Sequence, residues 1–106
     1  MTKPKSGSPK AFKKVVYEVF TIKPKQGGGL VKMEAWEDAQ GNLVKYSLAY
    51  INPAICADDD GRVLGYDNAH NYHHKHYLGN IYPVEDFNTY EEIVHRFETE
   101  LKEFIQ

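Results

Sequence analysis

The sequence predicts an α+β fold, in which an antiparallel sheet of four or five strands carries one C-terminal helix packed on a face. From residue 12 onward, runs rich in β-branched and aromatic residues alternate with short segments of Gly, Pro, Asn and Asp. A long segment with apolar residues at three- and four-residue spacing follows at the end of the chain. Strands that precede a single helix, without alternating with helices, favour a segregated α+β architecture.

The first three strands are predicted from their composition and from the turns between them. Residues 15–22 (VVYEVFTI) form the first, and the segment 23–29, which contains three consecutive glycines, ends it. Residues 30–38 form the second, with Val31, Met33 and Ala35 on one face. A tight turn at 39–42 leads into the third strand at 43–51, where apolar and polar positions alternate.

The fourth and fifth strands flank the most unusual part of the sequence. Asn52-Pro53 ends the third strand, and residues 58–61 (DDDG) predict a turn. A calcium loop is excluded there because acidic residues do not recur at alternating positions over twelve residues. Residues 62–66 predict the fourth strand, and residues 76–82 predict a fifth before Pro83.

The C-terminal helix is predicted by its cap and by its apolar stripe. Thr89-x-x-Glu92, or Asn88-x-x-Glu91, has the spacing of a capping box. The polar face includes His95, which we expect to be an ordinary surface residue. The apolar positions that follow repeat every three or four residues and indicate packing on a sheet: Tyr90, Ile93, Val94, Phe97, Leu101, Phe104 and Ile105.

Composition limits the class of protein. With 106 residues, 42% of them hydrophobic and 26% charged, the chain fits one globular domain, which we assign to residues 12–106. No apolar run approaches the roughly 20 residues that span a bilayer, and no apolar stretch follows the basic N-terminus as in a secretory signal. The single cysteine, Cys56, allows no internal disulfide. We therefore expect a cytoplasmic protein without a membrane partner.

Charge is distributed unevenly along the chain. Residues 1–25 contain seven lysines and one acidic residue, a net +6, whereas the remaining residues carry a net −8. Residues 1–11 lack the apolar content needed for folding and predict a disordered basic arm. Such an arm serves either as a solubilising tail or as a contact with nucleic acid or an acidic partner.

Four of the five histidines lie within seven residues, at positions 70, 73, 74 and 76. Histidine exchanges protons near neutral pH and is a common metal ligand. The cluster therefore indicates an acid–base catalyst, a metal site or a pH-sensitive binding surface.

A metal site is the less favoured of these hypotheses. Structural zinc sites usually combine paired thiolates and histidines, and this chain has one cysteine and no His-Glu-x-x-His motif. We therefore predict no metal and no other cofactor. The alternative is a metal-dependent hydrolase, in which His73 and His76, or His74 and His76, chelate one ion with Asp67.

Acid–base chemistry on RNA is the favoured hypothesis. RNA supplies its own nucleophile, the 2′-hydroxyl, so cleavage needs a base, an acid for the 5′-oxygen and cations for the phosphorane. His73 and His76 are predicted to be base and acid in either order, with His74 as a third candidate and Asp67 orienting an imidazole. The remaining candidates are predicted to bind the phosphate or the bases: Arg62, Lys75, Tyr66, Asn68 and Tyr77.

The same segment resembles a known family. The runs Gly65-Tyr66-Asp67-Asn68-Ala69-His70 and His73-His74-Lys75-His76, followed by Gly79 and an acidic C-terminal helix, are similar to the TumE family of bacterial and archaeal toxin–antitoxin systems. The similarity in layout covers residues 12–106. The resemblance implies a toxin that is neutralised by a small, DNA-binding antitoxin and that acts on translation through RNA cleavage. The alternative is a non-enzymatic module whose histidine surface binds a protein or a nucleic acid.

Overall fold

In the computed structural model, which describes residues 12–106, six strands form one antiparallel sheet and a single α-helix follows them. The strands neighbour one another in chain order, so each connection is a simple reversal. Their bounds are β1 (Lys13–Thr21), β2 (Leu30–Glu37), β3 (Leu43–Ile51), β4 (Arg62–Asp67), β5 (His74–Tyr77) and β6 (Asn80–Pro83). The α+β class and the C-terminal helix are confirmed. The arm predicted for residues 1–11 lies outside the described residues.

The sheet has six strands, so the predicted number of four or five is wrong. The segment predicted as one strand at 76–82 is instead the hairpin of β5 and β6. The chain reverses at Leu78 and Gly79, whose φ angles are 48° and 87°. Two consecutive positive φ angles match the twist of a tight hairpin. Leucine is unusual at such a position, so of the two turn residues only Gly79 is of a type that predicts a turn.

The helix α1 (Tyr90–Leu101) begins at the predicted cap, where the Thr89 hydroxyl accepts a hydrogen bond from the Glu92 amide at 3.1 Å. This bond satisfies one of the amide groups left unpaired at a helix start. The helix packs against β3 and β4. No helix in residues 12–106 combines the length and apolarity needed to cross a bilayer. The core between helix and sheet contains these fully buried side chains: Tyr46, Leu48, Tyr50, Leu64, Tyr66, Ile93 and Phe97.

The opposite side of the sheet, which we call the open face, is not covered by α1. Because side chains alternate along a strand, the neighbours of the core residues in β3 and β4 point to this side. Ser47, Ala49, Gly65 and Asp67 lie there, in the register that pairs Ser47 with Asp67 and Ala49 with Gly65. The middle of the open face is therefore lined by small side chains.

Gly65 leaves room for a side chain that crosses it. A Cβ atom at this position would lie 2.8 Å from Arg62 Cδ and 2.9 Å from the Leu48 carbonyl oxygen. Arg62 therefore passes over the α-carbon of Gly65, two residues short of Asp67. The glycine is required here by close approach and not by its backbone angles.

We expect Gly65→Ala to lower the free energy of unfolding by about 1–3 kcal/mol, because the added methyl group forces Arg62 and the backbone apart. Urea denaturation of the two proteins measures the difference. Ser47→Ala on the adjacent strand is the control, with an expected change below about 0.5 kcal/mol. An unfolding curve for Gly65→Ala that overlays that of the wild type would contradict the steric argument.

Candidate functional site

The histidine segment is folded so that two of its members face Asp67. Strand β4 ends at Asp67, and the connection to β5 includes His70 and Asn71, whose φ angles of 61° and 67° are left-handed. The chain then returns antiparallel to itself, pairing Asp67 with His74 and Gly65 with His76. As alternate residues of β5, His74 and His76 lie on the open face together with Asp67.

The Nε2 atoms of both histidines converge on the carboxylate of Asp67. His74 Nε2 lies 2.7 Å from Asp67 Oδ1, and His76 Nε2 lies 3.0 Å from Asp67 Oδ2. The three residues are only 4%, 5% and 8% exposed, with Asp67 the most exposed. A buried group of two imidazoles and one carboxylate is costly unless each polar atom has a partner. We call this trio the Asp67 cluster.

The outer nitrogens of the two histidines are also held. His76 Nδ1 lies 2.8 Å from Asp59 Oδ2, and His74 Nδ1 lies 3.1 Å from the Tyr72 carbonyl oxygen. Both rings are therefore fixed in orientation from each side. An acceptor faces every ring nitrogen, and only a doubly protonated imidazole can donate to both of its acceptors at once.

Arg62 joins the acidic groups of the site. Its guanidinium lies 3.3 Å from Asp67 Oδ2 and 3.2 Å from each carboxylate oxygen of Asp59. Because arginine stays charged, it offsets part of the cost of placing two carboxylates close together. Arg62 was predicted to bind substrate phosphate, and the structure places it beside the cluster.

Hydrogen bonds lower the pKa of Asp67 despite its burial. Desolvation raises this pKa, but the hydrogen bonds from His76 and the Ala69 amide and the charges of both histidines outweigh it. The Ala69 amide donates to Asp67 Oδ1 at 3.0 Å. The carboxylate is therefore ionised at neutral pH and acts as an acceptor.

His73 is separated from the Asp67 cluster. It precedes β5 by one residue and therefore points to the helix side, where its ring stacks on Phe87 at 3.8 Å with an interplanar angle of 7°. Its Nδ1 lies 2.9 Å from the Tyr46 hydroxyl. Burial, with a contribution from His74, lowers the pKa of His73, so its ring is neutral at pH 7 and shares a hydrogen bond with the Tyr46 hydroxyl. The structure does not bring His73 and His76 together as the predicted base and acid.

Three predicted substrate-binding residues also lie on the helix side and contact acidic residues near the C-terminus. The Tyr66 hydroxyl donates to Glu100 at 2.6 Å, Lys75 Nζ lies 3.2 Å from the same carboxylate, and the Tyr77 hydroxyl donates to Glu103 at 2.7 Å. The structure thus places Tyr66, Lys75 and Tyr77 on the face opposite the Asp67 cluster.

Asn68 connects the end of β4 to β3. Its side-chain amide donates to the Val44 carbonyl at 3.1 Å, and its oxygen accepts from the Tyr46 amide at 3.1 Å. Both groups of the amide are therefore occupied by backbone. His70 is exposed in the turn that follows.

The sequence pattern does not predict a role for Asp59. Residues 58–61 predict a turn, and the structure contains a short 3-10 turn at Asp59–Gly61. The three consecutive acidic residues gave no indication of which one would face His76. The only available signal was the position of Asp59, three residues before Arg62, which suits an ion pair across one turn.

Asp67 is the member of the cluster that lines a shallow pocket on the open face, and His74 and His76 lie behind it. The pocket has a volume of about 220 Å³ and includes Trp36, Lys45, Ser47, Asp67 and Ala69 in its lining. One carboxylate oxygen of Asp67 and one nitrogen from each histidine lie within 4.8 Å of one another, a donor set able to hold a metal ion. The site can thus support proton transfer or metal binding next to a surface that a polymer could reach.

The fold and the site define a small α+β protein with a buried histidine–carboxylate cluster beside an uncovered sheet face. A family model described as Toxin TumE matches residues 13–105. The chain belongs to the TumE toxin family, as the motif in and around β4 and β5 predicted, and this membership implies the toxin component of a toxin–antitoxin system. No curated protein and no solved structure matches the chain.

The lowered pKa of Asp67 makes stability sensitive to acid. A depressed folded pKa contributes stability above the unfolded value, near 3.8, and this stability is lost as the pH falls through the folded pKa. We expect Asp67→Asn to cost about 3 kcal/mol at pH 7, because it leaves Arg62 and two histidines without their shared carboxylate.

Denaturation of wild type and Asp67→Asn at several values between pH 7 and pH 3 tests this linkage. The difference between the two proteins should shrink as the pH falls below about 4. A difference that stays constant over the whole range would show that the ionised carboxylate is not the stabilising species.

Proposed function

We propose that this toxin is an endoribonuclease whose centre is the Asp67 cluster, with His74 and His76 as the proton-transfer groups. The observation that supports this proposal is the convergence of both Nε2 atoms on one carboxylate at the edge of an open pocket. His74 replaces His73 as the partner of His76, because His74 and His76 share a strand face. RNA is the proposed substrate, and a cognate antitoxin in the cytoplasm is the proposed partner.

The chemistry needs only groups of this site and the RNA. One histidine, in its neutral form, removes the proton of the 2′-hydroxyl, and the new oxygen–phosphorus bond forms as the bond to the 5′-oxygen breaks. The other histidine, in its protonated form, gives its proton to the departing 5′-oxygen. The products are a 2′,3′-cyclic phosphate and a free 5′-hydroxyl.

Asp67 and Arg62 have supporting roles in this scheme. Asp67 stabilises the imidazolium that forms when a histidine accepts a proton. The Arg62 guanidinium, 3.3 Å from Asp67, supplies positive charge next to the phosphate as negative charge builds on its oxygens. Because each ring nitrogen of both histidines already has a partner, RNA must displace one contact of His74 and one contact of His76. Catalytic hydrogen bonds commonly rearrange in this way when substrate binds.

We expect His74→Gln and His76→Gln each to reduce RNA cleavage by about 10²- to 10⁴-fold, since each removes one proton-transfer group. Purified protein is incubated with a fluorescent single-stranded RNA, and mass spectrometry identifies the 2′,3′-cyclic ends. His95→Gln, which changes a surface histidine of α1, is the matched control and should cleave like wild type.

His73→Gln distinguishes His74 and His76 as the proton-transfer pair from His73 and His76, the pair that the sequence pattern predicts. We expect this variant to lose stability, because His73 stacks on Phe87 and is hydrogen-bonded to the Tyr46 hydroxyl. The fraction of the variant that folds should cleave RNA like wild type. Loss of cleavage in folded His73→Gln, with full activity in His74→Gln, would assign the chemistry to His73. Intact RNA with wild-type protein would refute the endoribonuclease.

A metal-dependent hydrolase is the second candidate, and one observation favours it. Each Nε2 faces Asp67, while each Nδ1 is held by a carboxylate or a backbone carbonyl. Metal-binding histidines are typically oriented in this way by a partner on their second nitrogen. An ion between the two Nε2 atoms and Asp67 would then activate a water molecule or polarise the phosphate.

Cleavage in the presence of EDTA distinguishes the two candidates. We expect the wild-type rate to be unchanged within about twofold after dialysis against EDTA, because histidine acid–base catalysis uses no ion. Loss of activity that one divalent metal restores would favour the second candidate. In that case the same metal should raise the melting temperature of wild type but not of Asp67→Asn.

A further inference from the structure

We propose that the open face, beside the Asp67 cluster, binds single-stranded RNA through a platform of two aromatic rings and three lysines. The platform consists of Tyr17, Trp36, Lys14, Lys32 and Lys45. The choice of RNA rests on the endoribonuclease function proposed above. The position, chemistry and accessibility of the platform are independent of that function.

The platform residues come from three strands and lie on the same side of the sheet. Lys14 of β1 pairs with Trp36 of β2, and Trp36 pairs with Lys45 of β3. Two residues along β2 from Trp36, Glu34 pairs with Tyr17 of β1. Directly paired residues of neighbouring strands share a face, so these side chains form one surface.

The lysines lie over the aromatic rings. Lys14 Nζ is 4.6 Å from the centre of the Tyr17 ring and 5.0 Å from the Trp36 ring, and Lys45 Nζ is 4.7 Å from the Trp36 ring. Lys32 Nζ lies 5.8 Å from the Tyr17 ring. An exposed cation–π contact is weaker than the stacking of a base on an aromatic ring. The flexible lysines can therefore move to phosphates while bases take their place.

The charge of the platform suits a polyanion. The platform has three lysines, and two of them contact one acidic residue, Glu34, which lies 3.0 Å from Lys14 and 3.9 Å from Lys32. The platform therefore carries a net positive charge in a chain whose residues beyond 25 are net negative. Aromatic rings combined with lysines on a sheet surface are typical of sites for single-stranded nucleic acid.

The register connects the platform to the Asp67 cluster. A continuous row of paired residues crosses the sheet from Tyr17 through Glu34, Ser47 and Asp67 to His74. The residue between the two sites, Ser47 on β3, is small. Two strand spacings, about 10 Å, separate Trp36 on β2 from Asp67 on β4. A single strand on the platform can therefore place the adjoining phosphate over the cluster without a bulky side chain between them.

Binding of an RNA that cannot be cleaved tests the platform without the chemistry. We use a fluorescent 12-nucleotide single strand of mixed sequence with every 2′-hydroxyl methylated, and we measure its affinity by anisotropy. We expect Tyr17→Ala and Trp36→Ala each to bind at least about fivefold more weakly than wild type. Tyr82→Ala, which removes an exposed tyrosine at the far edge of the sheet, is the matched control and should bind normally.

The charges give a second, independent readout. We expect Lys45→Gln to lower the slope of log affinity against log salt concentration by about 0.7, the value for one lost phosphate contact on a single strand. Lys102→Gln, an exposed lysine at the end of α1, should leave the slope unchanged. Glu34→Gln should tighten binding, because it removes the acidic group and frees two lysines. Trp36→Phe should restore most of the affinity that Trp36→Ala loses.

Each contrary result has a defined meaning. Wild-type affinity in the folded Tyr17→Ala, Trp36→Ala and Lys45→Gln variants would overturn the proposal, as would equal affinity for the duplex of the same sequence. Light scattering that shows a wild-type dimer broken by Trp36→Ala would make the face a contact between two copies instead. If methylated RNA binds through the platform while natural RNA stays intact, the endoribonuclease fails and the platform stands. If natural RNA is cleaved but the platform variants bind methylated RNA with wild-type affinity, the endoribonuclease stands and the platform fails.

Discussion

The burial of the Asp67 carboxylate is the constraint on which the architecture around the site depends. An ionised carboxylate that is 8% exposed is tolerable only when hydrogen bonds and cations replace water. His74, His76, Arg62 and the Ala69 amide supply these partners. Each partner must be held in a particular place by the backbone. One buried charge therefore constrains the conformation of β4, β5 and the turns beside them.

These requirements explain features that otherwise look unrelated. Gly65 lacks a side chain because Arg62 must cross it to reach Asp67. The turn between β4 and β5 contains two left-handed residues, which bring His74 opposite Asp67. The turn before β4 places Asp59 where it contacts both Arg62 and His76. Removing one member would therefore leave other charges unpaired, which costs more than the loss of a single contact.

The same sheet separates structural from candidate functional groups by its period of two. In β5, Lys75 and Tyr77 pair with acidic residues at the helix side, whereas His74 and His76 join Asp67 on the open face. In β2, Met33 and Ala35 fill the core, whereas Trp36 and its lysine neighbours face outward. The two uses of the sheet do not compete, since each strand contributes alternate residues to each face.

The sequence was sufficient for the features that depend on local pattern. The first four strands, the α1 stripe and the Thr89 cap follow from periodicity and capping chemistry, and the family assignment follows from the motif of β4 and β5. The β5–β6 hairpin could not be predicted from local pattern, because leucine at position 78 is not a residue typical of a left-handed turn. The structure separates His73 from His76, because residues three apart along an extended chain face opposite sides, and only the position of β5 decides which histidines share a face. Asp59 and the platform depend on strand register, which is a non-local property.

Electrostatics places a common requirement on both candidate mechanisms. With neutral histidines, the site consists of Asp59, Asp67 and one Arg62 cation, a net charge of −1 that repels a phosphate. Protonation of the histidine that acts as the acid raises the net charge to 0, and a divalent ion held by neutral histidines raises it to +1. Lys14 on β1 and Lys32 on β2 cannot substitute for this change, because they lie two or more strands from Asp67 and surface charges are screened over such a distance. Lys45 is the platform lysine that lines the same pocket as Asp67, so its charge adds to that of the cluster. RNA cleavage at this site therefore depends on charge beside the Asp67 carboxylate, and the more distant lysines can only raise the local concentration of substrate.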